Sequence, residues 1–232
     1  MSLPDPLPLK ASAATIFQRP WRLAILFIGI VLPLALCARL ADRVWDRTEL
    51  RFDGPILLAL HRHATPLLDR LAVAVTHSGS FLTNMFFTAM LAMSLWRAGR
   101  HRAGIFMAVA CGGAVVLDVI AKTFFRRDRP HLWKSIAPEP DYSFPSGHSM
   151  LSMSLAVALI LLAWPTKWRW PVAIVGVLYT FSVGLSRLYL GVHFPSDVIG
   201  GWCAGLAWTI GVYFIARGDR DFFFRKLPPP TL

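Results

Sequence analysis

The sequence predicts an all-α, polytopic membrane protein that crosses the bilayer six times. Apolar residues make up 55% of the chain and charged residues only 16%, against roughly 25% in a typical soluble domain. A soluble helix needs one apolar face, whereas about 20 consecutive apolar residues cross a membrane. The charged residues are clustered, and long stretches contain no Asp, Glu, Lys or Arg, among them 23–38, 71–96, 103–117, 149–166 and 198–216.

The six predicted spans form a single domain over 21–216. The proline-rich segment 1–20 is expected to be a flexible cytoplasmic tail, and 217–232 a second cytoplasmic tail. The first span could be a cleaved signal peptide, but its apolar run is long and Arg22 and Arg39 bracket it, which favours an uncleaved anchor. The predicted spans are 21–40, 78–96, 102–124, 146–164, 171–189 and 196–216.

The basic residues predict which side of the membrane each connection faces. Connections 97–102 and 165–170 contain Arg or Lys but no acid, which is typical of cytoplasmic loops. With six spans, both tails lie on that side, and the protein is expected in the cytoplasmic membrane. The partly amphipathic segment 54–77 leaves one alternative open, because an extra crossing there would invert everything before it. The connections expected to face the periplasm or exterior are 41–77, 125–145 and 190–195.

The net charge and the cysteines exclude other classes of protein. A net charge of +11 would indicate nucleic acid in a soluble protein, but here it fits loops that meet anionic lipid headgroups. No basic patch interleaved with aromatic residues is present, so nucleic acid is not an expected partner. The three cysteines lie in apolar spans without a C-x-x-C pair, which argues against a zinc site or a disulfide framework: Cys37, Cys111 and Cys203.

One outward connection breaks the charge bias, since 122–134 carries five basic residues against the single acid Asp128. Lys122 and Arg129 are two helical turns apart and can face one side at the end of the third span. Pro130 favours a loop from that point. The cluster indicates an anion-binding site or, alternatively, a basic collar whose long side chains reach the membrane interface.

A second cluster, PSGH at 145–148, opens the fourth span. Gly147 permits a tight turn, and Ser146 is a favourable N-cap. A helix N-terminus with free amides binds anions, and His148 stands in its first turn. The alternative interpretation is a capped helix with an interfacial histidine.

The third cluster, SRLYLGVHFPSD, occupies 186–197. Arg187 ends the fifth span, His193 lies in the short loop, and Pro195 suits the first turn of the sixth span. Asp197, four residues after His193, can hydrogen-bond the imidazole and fix its tautomer, which makes the other ring nitrogen a better nucleophile or base. The alternative is a loop histidine that lies by chance near a helix-capping acid.

All three clusters fall on one predicted side of the membrane. Cations and free amides suit a phosphoryl group, whose transfer depends on positioning and charge stabilisation. Two histidines can supply a nucleophile and a proton donor. The combination therefore predicts a site for phosphoryl transfer.

These residues resemble a known family. The patterns K-x6-RP at 122–130, PSGH at 145–148 and SR-x5-H-x3-D at 186–197 match the three signature motifs of the type 2 phosphatidic acid phosphatase (PAP2) superfamily, in its bacterial membrane lipid phosphatase branch. The resemblance covers about 122–216 by motif, and the six-span layout extends it over roughly 21–216. It implies a PAP2-type helical core.

The resemblance also implies a role for each residue. His193 would be the nucleophile that forms a phosphohistidine, Asp197 would orient it, and His148 would protonate the leaving group and then activate water. No metal and no cofactor is implied, and the sequence offers no carboxylate cluster of the kind that holds magnesium. The residues implied to hold the phosphate oxygens are Lys122, Arg129, Ser146, Gly147 and Arg187.

The implied partners are the bilayer and a lipid phosphate; the oligomeric state stays open. Family members act on substrates such as undecaprenyl diphosphate, phosphatidic acid and phosphatidylglycerol phosphate. Two alternatives remain: a lipid phosphotransferase that uses the same site, for example in lipid A modification, and a lipid-phosphate binder or transporter without catalysis.

Other polar and small residues in the spans are expected to have structural roles. Asp118, four residues before Lys122, is expected to pair with that or another cation at the floor of the pocket. Four glycines are expected to permit close packing of helices: Gly112, Gly113, Gly201 and Gly205.

Overall fold

A computed structural model describes residues 23, 24, 26–48 and 50–216. Within these residues the chain forms eight α-helices and no strand, and a π-helical turn, Phe27–Val31, leads directly into the first α-helix. The predicted tails 1–20 and 217–232 lie outside the described residues. The helices are α1 (Leu32–Trp45), α2 (Asp53–His61), α3 (Pro66–Ser78), α4 (Phe81–Arg97), α5 (His101–Phe125), α6 (Gly147–Ala163), α7 (Arg169–Tyr189) and α8 (Pro195–Ala216).

Three of the described helices, α5, α7 and α8, are long and apolar enough to cross a membrane. Helix α6 is equally apolar but has only 17 residues. The helices at the first and second predicted spans, α1 and α4, have 14 and 17 residues. The protein is therefore a multi-pass membrane protein that is all-helical over its described residues, and the count of six spans stays a prediction.

Surfaces away from the core are strongly apolar, as lipid contact requires. Helix α7 exposes Val175, Val177, Leu178 and Phe181 by 58–66% each. The buried core between α5, α6 and α8 includes Phe106, which is 1% exposed. This outer surface is therefore suited to contact with hydrocarbon rather than with water.

Close contact between α6 and α8 depends on glycine. A Cβ atom at Gly201 would lie 2.5 Å from the carbonyl oxygen of Ser146, and one at Gly205 would lie equally near the carbonyl oxygen of Met150. Gly113 is needed in the same way, because the indole of Trp208 fills the space beside it. The packing role predicted for these glycines is confirmed.

The same prediction is wrong for Gly112. A Cβ atom there would have no other atom within 4 Å, so nothing packs closely against that side of α5.

Candidate active site

Contacts between main-chain and side-chain groups bring the ends of α5, α6 and α8 together. The amide of Ser146 donates to the carbonyl of Asp197 over 3.0 Å. The Arg129 guanidinium, in the loop after α5, donates from Nη1 to the carbonyl of Val192 over 2.7 Å. The three sequence motifs thus converge at one end of the bundle, as the sequence predicted.

His193 is buried at the centre of this convergence, with 1% of its surface exposed. Its Nε2 lies 3.1 Å from Nη1 of Arg129, and its Nδ1 lies 3.5 Å from Oδ2 of Asp197. Arginine carries donors only, so Nε2 must accept, and the ring proton belongs on Nδ1, on the side of Asp197. This tautomer leaves the Nε2 lone pair as the nucleophilic one.

The predicted hydrogen bond between His193 and Asp197 is present only as a close approach. Nδ1 has no hydrogen-bond partner of acceptable geometry among the described residues. Oδ2 of Asp197 already accepts from the Phe194 amide at 2.8 Å and from the Ser143 hydroxyl. The acid therefore holds the loop that carries His193 as well as facing the ring.

Burial, helped by surrounding positive charge, favours the neutral form of His193. Burial lowers the pKa of His193 well below its usual value, and the positive charges of Arg129, Arg187 and Lys122 lower it further. A neutral imidazole at neutral pH is the form that can attack phosphorus.

The three predicted phosphate-binding cations lie around this histidine and are all paired. Lys122 contacts Asp118, at 3.4 Å, as the sequence predicted. Arg187 is 1% exposed and donates from Nη1 to Thr76 Oγ1 over 2.6 Å.

Two acids that sequence reasoning missed complete these pairs. The Asp141 carboxylate bridges Lys122 and Arg129, and Glu139 accepts from Nη2 of Arg187 over 2.8 Å. Burial alone would raise the pKa of Asp141. The ion pairs with Lys122 and Arg129 outweigh this and hold the pKa below its usual value. The sequence signal for these acids was their position in EPD, 139–141, between the K-x6-RP and PSGH motifs.

A further missed residue, Arg127, reaches Asp197 from the other side. It pairs with Asp197 and with Asp53, which lies at the start of α2, so that one guanidinium joins two buried carboxylates. Its position inside the K-x6-RP stretch 122–130, among the five basic residues of that connection, was the only sequence signal for Arg127, and no pattern singled out Asp53.

The PSGH segment differs in detail from the prediction. Ser146 occupies the N-cap position of α6, but its side chain caps no amide and instead accepts from the Ser149 hydroxyl over 3.1 Å. Gly147 is needed because of its neighbour rather than for a turn: a Cβ atom there would lie 2.6 Å from Oδ2 of Asp118. The following residue, His148, is partly buried and within electrostatic range of Arg187.

The chemistry of the site follows from these groups. Among the described residues, no three His, Cys, Asp or Glu side chains are grouped so that they could hold a metal ion. The site instead offers a neutral imidazole, three cations and the amides at the start of α6, which together can bind an anion beside a nucleophile.

An apolar cavity of about 840 Å³ begins beside the site and follows the bundle. Phe144 and Pro145 line it next to the PSGH segment, and Ile215 lines it near the end of α8. Its walls come from α1, α5, α6 and α8, and among the described residues that line it Arg102 is the one with a charge. Such an apolar lining suits contact with hydrocarbon rather than with water.

Comparison with known proteins assigns the family. The family model described as the PAP2 superfamily matches residues 103–220. An undecaprenyl-diphosphatase from Sulfolobus acidocaldarius is 28% identical over 190 residues, which are 80% of this chain and 85% of that protein. A phosphatidylglycerophosphatase B from Bacillus subtilis is 32% identical over 160 residues, which are 66% of this chain and 75% of that protein.

A solved structure has the same fold. The crystal structure of a transmembrane PAP2-type phosphatidylglycerolphosphate phosphatase from Bacillus subtilis superposes with a TM-score of 0.73 at 27% sequence identity, covering 83% of this chain and 98% of the other. The family match, the relatives and the fold agree with the three converging motifs, and the chain belongs to the PAP2 superfamily.

Proposed function

We propose that this protein is a lipid phosphatase that removes a terminal phosphate through a phosphohistidine on His193. One observation carries the proposal: Nε2 of His193 faces Arg129 while Nδ1 faces Asp197. The nitrogen proposed as the nucleophile therefore lies beside Arg129, one of the cations that would bind a phosphate, and the Asp197 carboxylate would orient the ring from its opposite side.

The reaction would proceed in two steps, phosphorylation of His193 and hydrolysis of the phosphohistidine. Nε2 of His193 forms a bond to phosphorus as the bond from phosphorus to the lipid oxygen breaks, and His148 gives a proton to that oxygen. Water then attacks phosphorus, the P–N bond breaks, inorganic phosphate leaves, and His148 recovers its proton from the water. Lys122, Arg129 and Arg187 would stabilise the charge on the phosphate oxygens, with the Gly147 amide and Ser146 at the start of α6 assisting.

The substrate would be a lipid monophosphate or diphosphate. Relatives named for undecaprenyl diphosphate and for phosphatidylglycerol phosphate support this class. The apolar cavity beside Pro145 supports it independently, because it offers a place for a hydrocarbon tail whose phosphate lies at the ends of α5, α6 and α8.

The proposed topology has six spans, with the site at the outer face of the cytoplasmic membrane. The acid-free basic connections 97–102 and 165–170 support this orientation. The site would then be open to a lipid delivered in the outer leaflet.

The proposal includes catalysis without a metal. Phosphate release from a panel of lipid phosphates by the purified protein tests the phosphatase activity and its independence of metal together. The panel includes undecaprenyl diphosphate, phosphatidic acid and phosphatidylglycerol phosphate, in detergent with an excess of chelator. We expect release from at least one substrate by the wild type and none by His193→Ala. A phosphorylated lipid instead of free phosphate would identify a phosphotransferase, and strict dependence on added magnesium would refute the metal-independent mechanism.

A further inference from the structure

The carboxylate behind His193 belongs to a larger buried network. Asp197 is fully buried, and Arg127 contacts its Oδ1 through Nη1. The other arm of the same guanidinium, Nη2, donates to Oδ2 of Asp53 over 3.0 Å. Asp53 is 2% exposed and lies 144 residues before Asp197 in the chain. An acid from α2 is thus connected to the acid that faces the catalytic imidazole.

Asp53 also holds the backbone at the start of α8. Its Oδ1 accepts from the Ser196 amide over 3.0 Å, and its Oδ2 accepts from the Ser196 hydroxyl over 2.6 Å. The same hydroxyl accepts from Nη1 of Arg127 over 2.7 Å, and the guanidinium lies over the Phe194 ring at 4.2 Å from its centre. The residues on both sides of Pro195 are therefore fixed by this one pair.

The charges in the network do not balance. Two buried carboxylates, Asp53 and Asp197, share one guanidinium, and in the described part of the chain Arg127 is the charged partner of Asp53. With both carboxylates ionised the network carries one net negative charge, which the Ser143 and Ser196 hydroxyls and the Phe194 and Ser196 amides stabilise by hydrogen bonds. That charge lies on the Nδ1 side of His193, where positive charge develops when Nε2 bonds to phosphorus.

We infer that Arg127 and Asp53 are positioning residues for the His193 nucleophile, acting through Asp197. Arg127 holds the Asp197 carboxylate in place. Asp53 shares the guanidinium, so that Asp197 keeps the negative charge that favours the phosphorylated ring. This inference rests on the proposed function, because it assigns the two residues to the phosphoryl-transfer step.

Three variants test the inference by the pH dependence of kcat/KM: Asp53→Asn, Arg127→Gln and the double variant. None of these substitutions removes a charged or titratable group that itself faces His193. Those groups are Arg129, Arg187, Lys122, His148 and Asp197. Removing the positive charge of Arg127 should move the acid limb to higher pH, and removing the negative charge of Asp53 should move it to lower pH. The double variant should return it toward the wild-type position.

Both single variants should also lower kcat by about 100-fold with little change in KM, because a nucleophile misplaced by about 1 Å costs that much. Exposed neighbours in the same loop supply matched controls, Arg126→Gln and Asp128→Asn, and should leave both the rate and the pH profile unchanged. If Arg127→Gln does not fold, Arg127→Lys keeps the charge and should lower kcat without moving the acid limb.

The outcomes separate this inference from the proposed function. Wild-type protein that releases no phosphate, or that does not need His193, would contradict the proposed function. If the wild type is active but the pH profiles of Asp53→Asn and Arg127→Gln are not shifted from it, the positioning role alone is overturned. Shifts of the two profiles in the same direction would overturn it as well.

Discussion

Arg129 places its Nη1 atom 3.1 Å from Nε2 of His193, so that a cation stands at the nitrogen that would attack phosphorus. The same guanidinium holds the Asp141 carboxylate, together with Lys122. A phosphate bound to these cations would compete with Asp141 for their donors. On the proposed function, this loop acid would act as an internal competitor for the site.

Replacing Asp141 with Asn should make the site bind oxyanions more tightly. The amide cannot compete as a charged ligand for Lys122 and Arg129, so we expect the inhibition constant for orthovanadate to fall by about tenfold, equivalent to about 1.4 kcal/mol. Asp128→Asn, which changes an exposed acid of the same loop, should leave the constant unchanged. Weaker inhibition of Asp141→Asn by vanadate would show that the carboxylate supports the site instead.

Adding one methyl group at Gly147 should damage the site. A Cβ atom there would lie 2.6 Å from Oδ2 of Asp118, whereas Gly112→Ala adds the same group to α5 with nothing within 4 Å. Overpacking of this kind costs about 1–3 kcal/mol. We expect Gly147→Ala to lower both the thermal midpoint in detergent and kcat/KM, and Gly112→Ala to lower neither. Equal behaviour of the two variants would contradict the assigned contact.

The depressed pKa of His193 predicts that the ring stays neutral in mildly acidic solution. Because the folded-state pKa lies below the usual 6.5, the neutral form persists as the pH falls through 6.5 and is lost only at lower pH. Nitrogen NMR of the histidine-labelled protein can follow this ring, assigned by the signal that is missing from His193→Gln. We expect no titration between pH 7.5 and 6.5 and a proton on Nδ1; a midpoint at or above 6.5 would refute the electrostatic account.

Fusions with a reporter that is active only outside the cytoplasm test the sidedness. A reporter placed after Ser135 should be active, and one placed after Gly99 should be inactive, because the basic connection 97–102 is assigned to the cytoplasm. The reverse pattern would place the phosphate site in the cytoplasm and exclude a substrate from the outer leaflet.

Much of the helical layout could be predicted from the sequence, because long apolar runs bounded by charged residues leave few alternatives. The predicted spans 102–124, 146–164, 171–189 and 196–216 match α5 to α8 within two residues at each end. The first two predicted spans match less closely: α1 begins at Leu32 and runs on to Trp45, and α4 begins three residues later than predicted, at Phe81. The segment between them folds as the two separate helices α2 and α3.

The site was predictable where residues act through local spacing and not where partners are distant in sequence. The four-residue separation of His193 and Asp197 gives their proximity directly. Arg127 and Asp53 are 74 residues apart, and the acids that pair with the cations come from an irregular loop without periodicity. Only the folded chain brings these groups together.

Trapping the phosphorylated protein tests the central claim most directly. Wild-type protein mixed with a labelled lipid phosphate and quenched within milliseconds should carry label that is stable in base and released in acid, as a phosphohistidine is. His193→Ala should carry none, while His148→Ala should form the intermediate slowly and retain it. Label that persists in His193→Ala would contradict the assignment of His193 as the nucleophile.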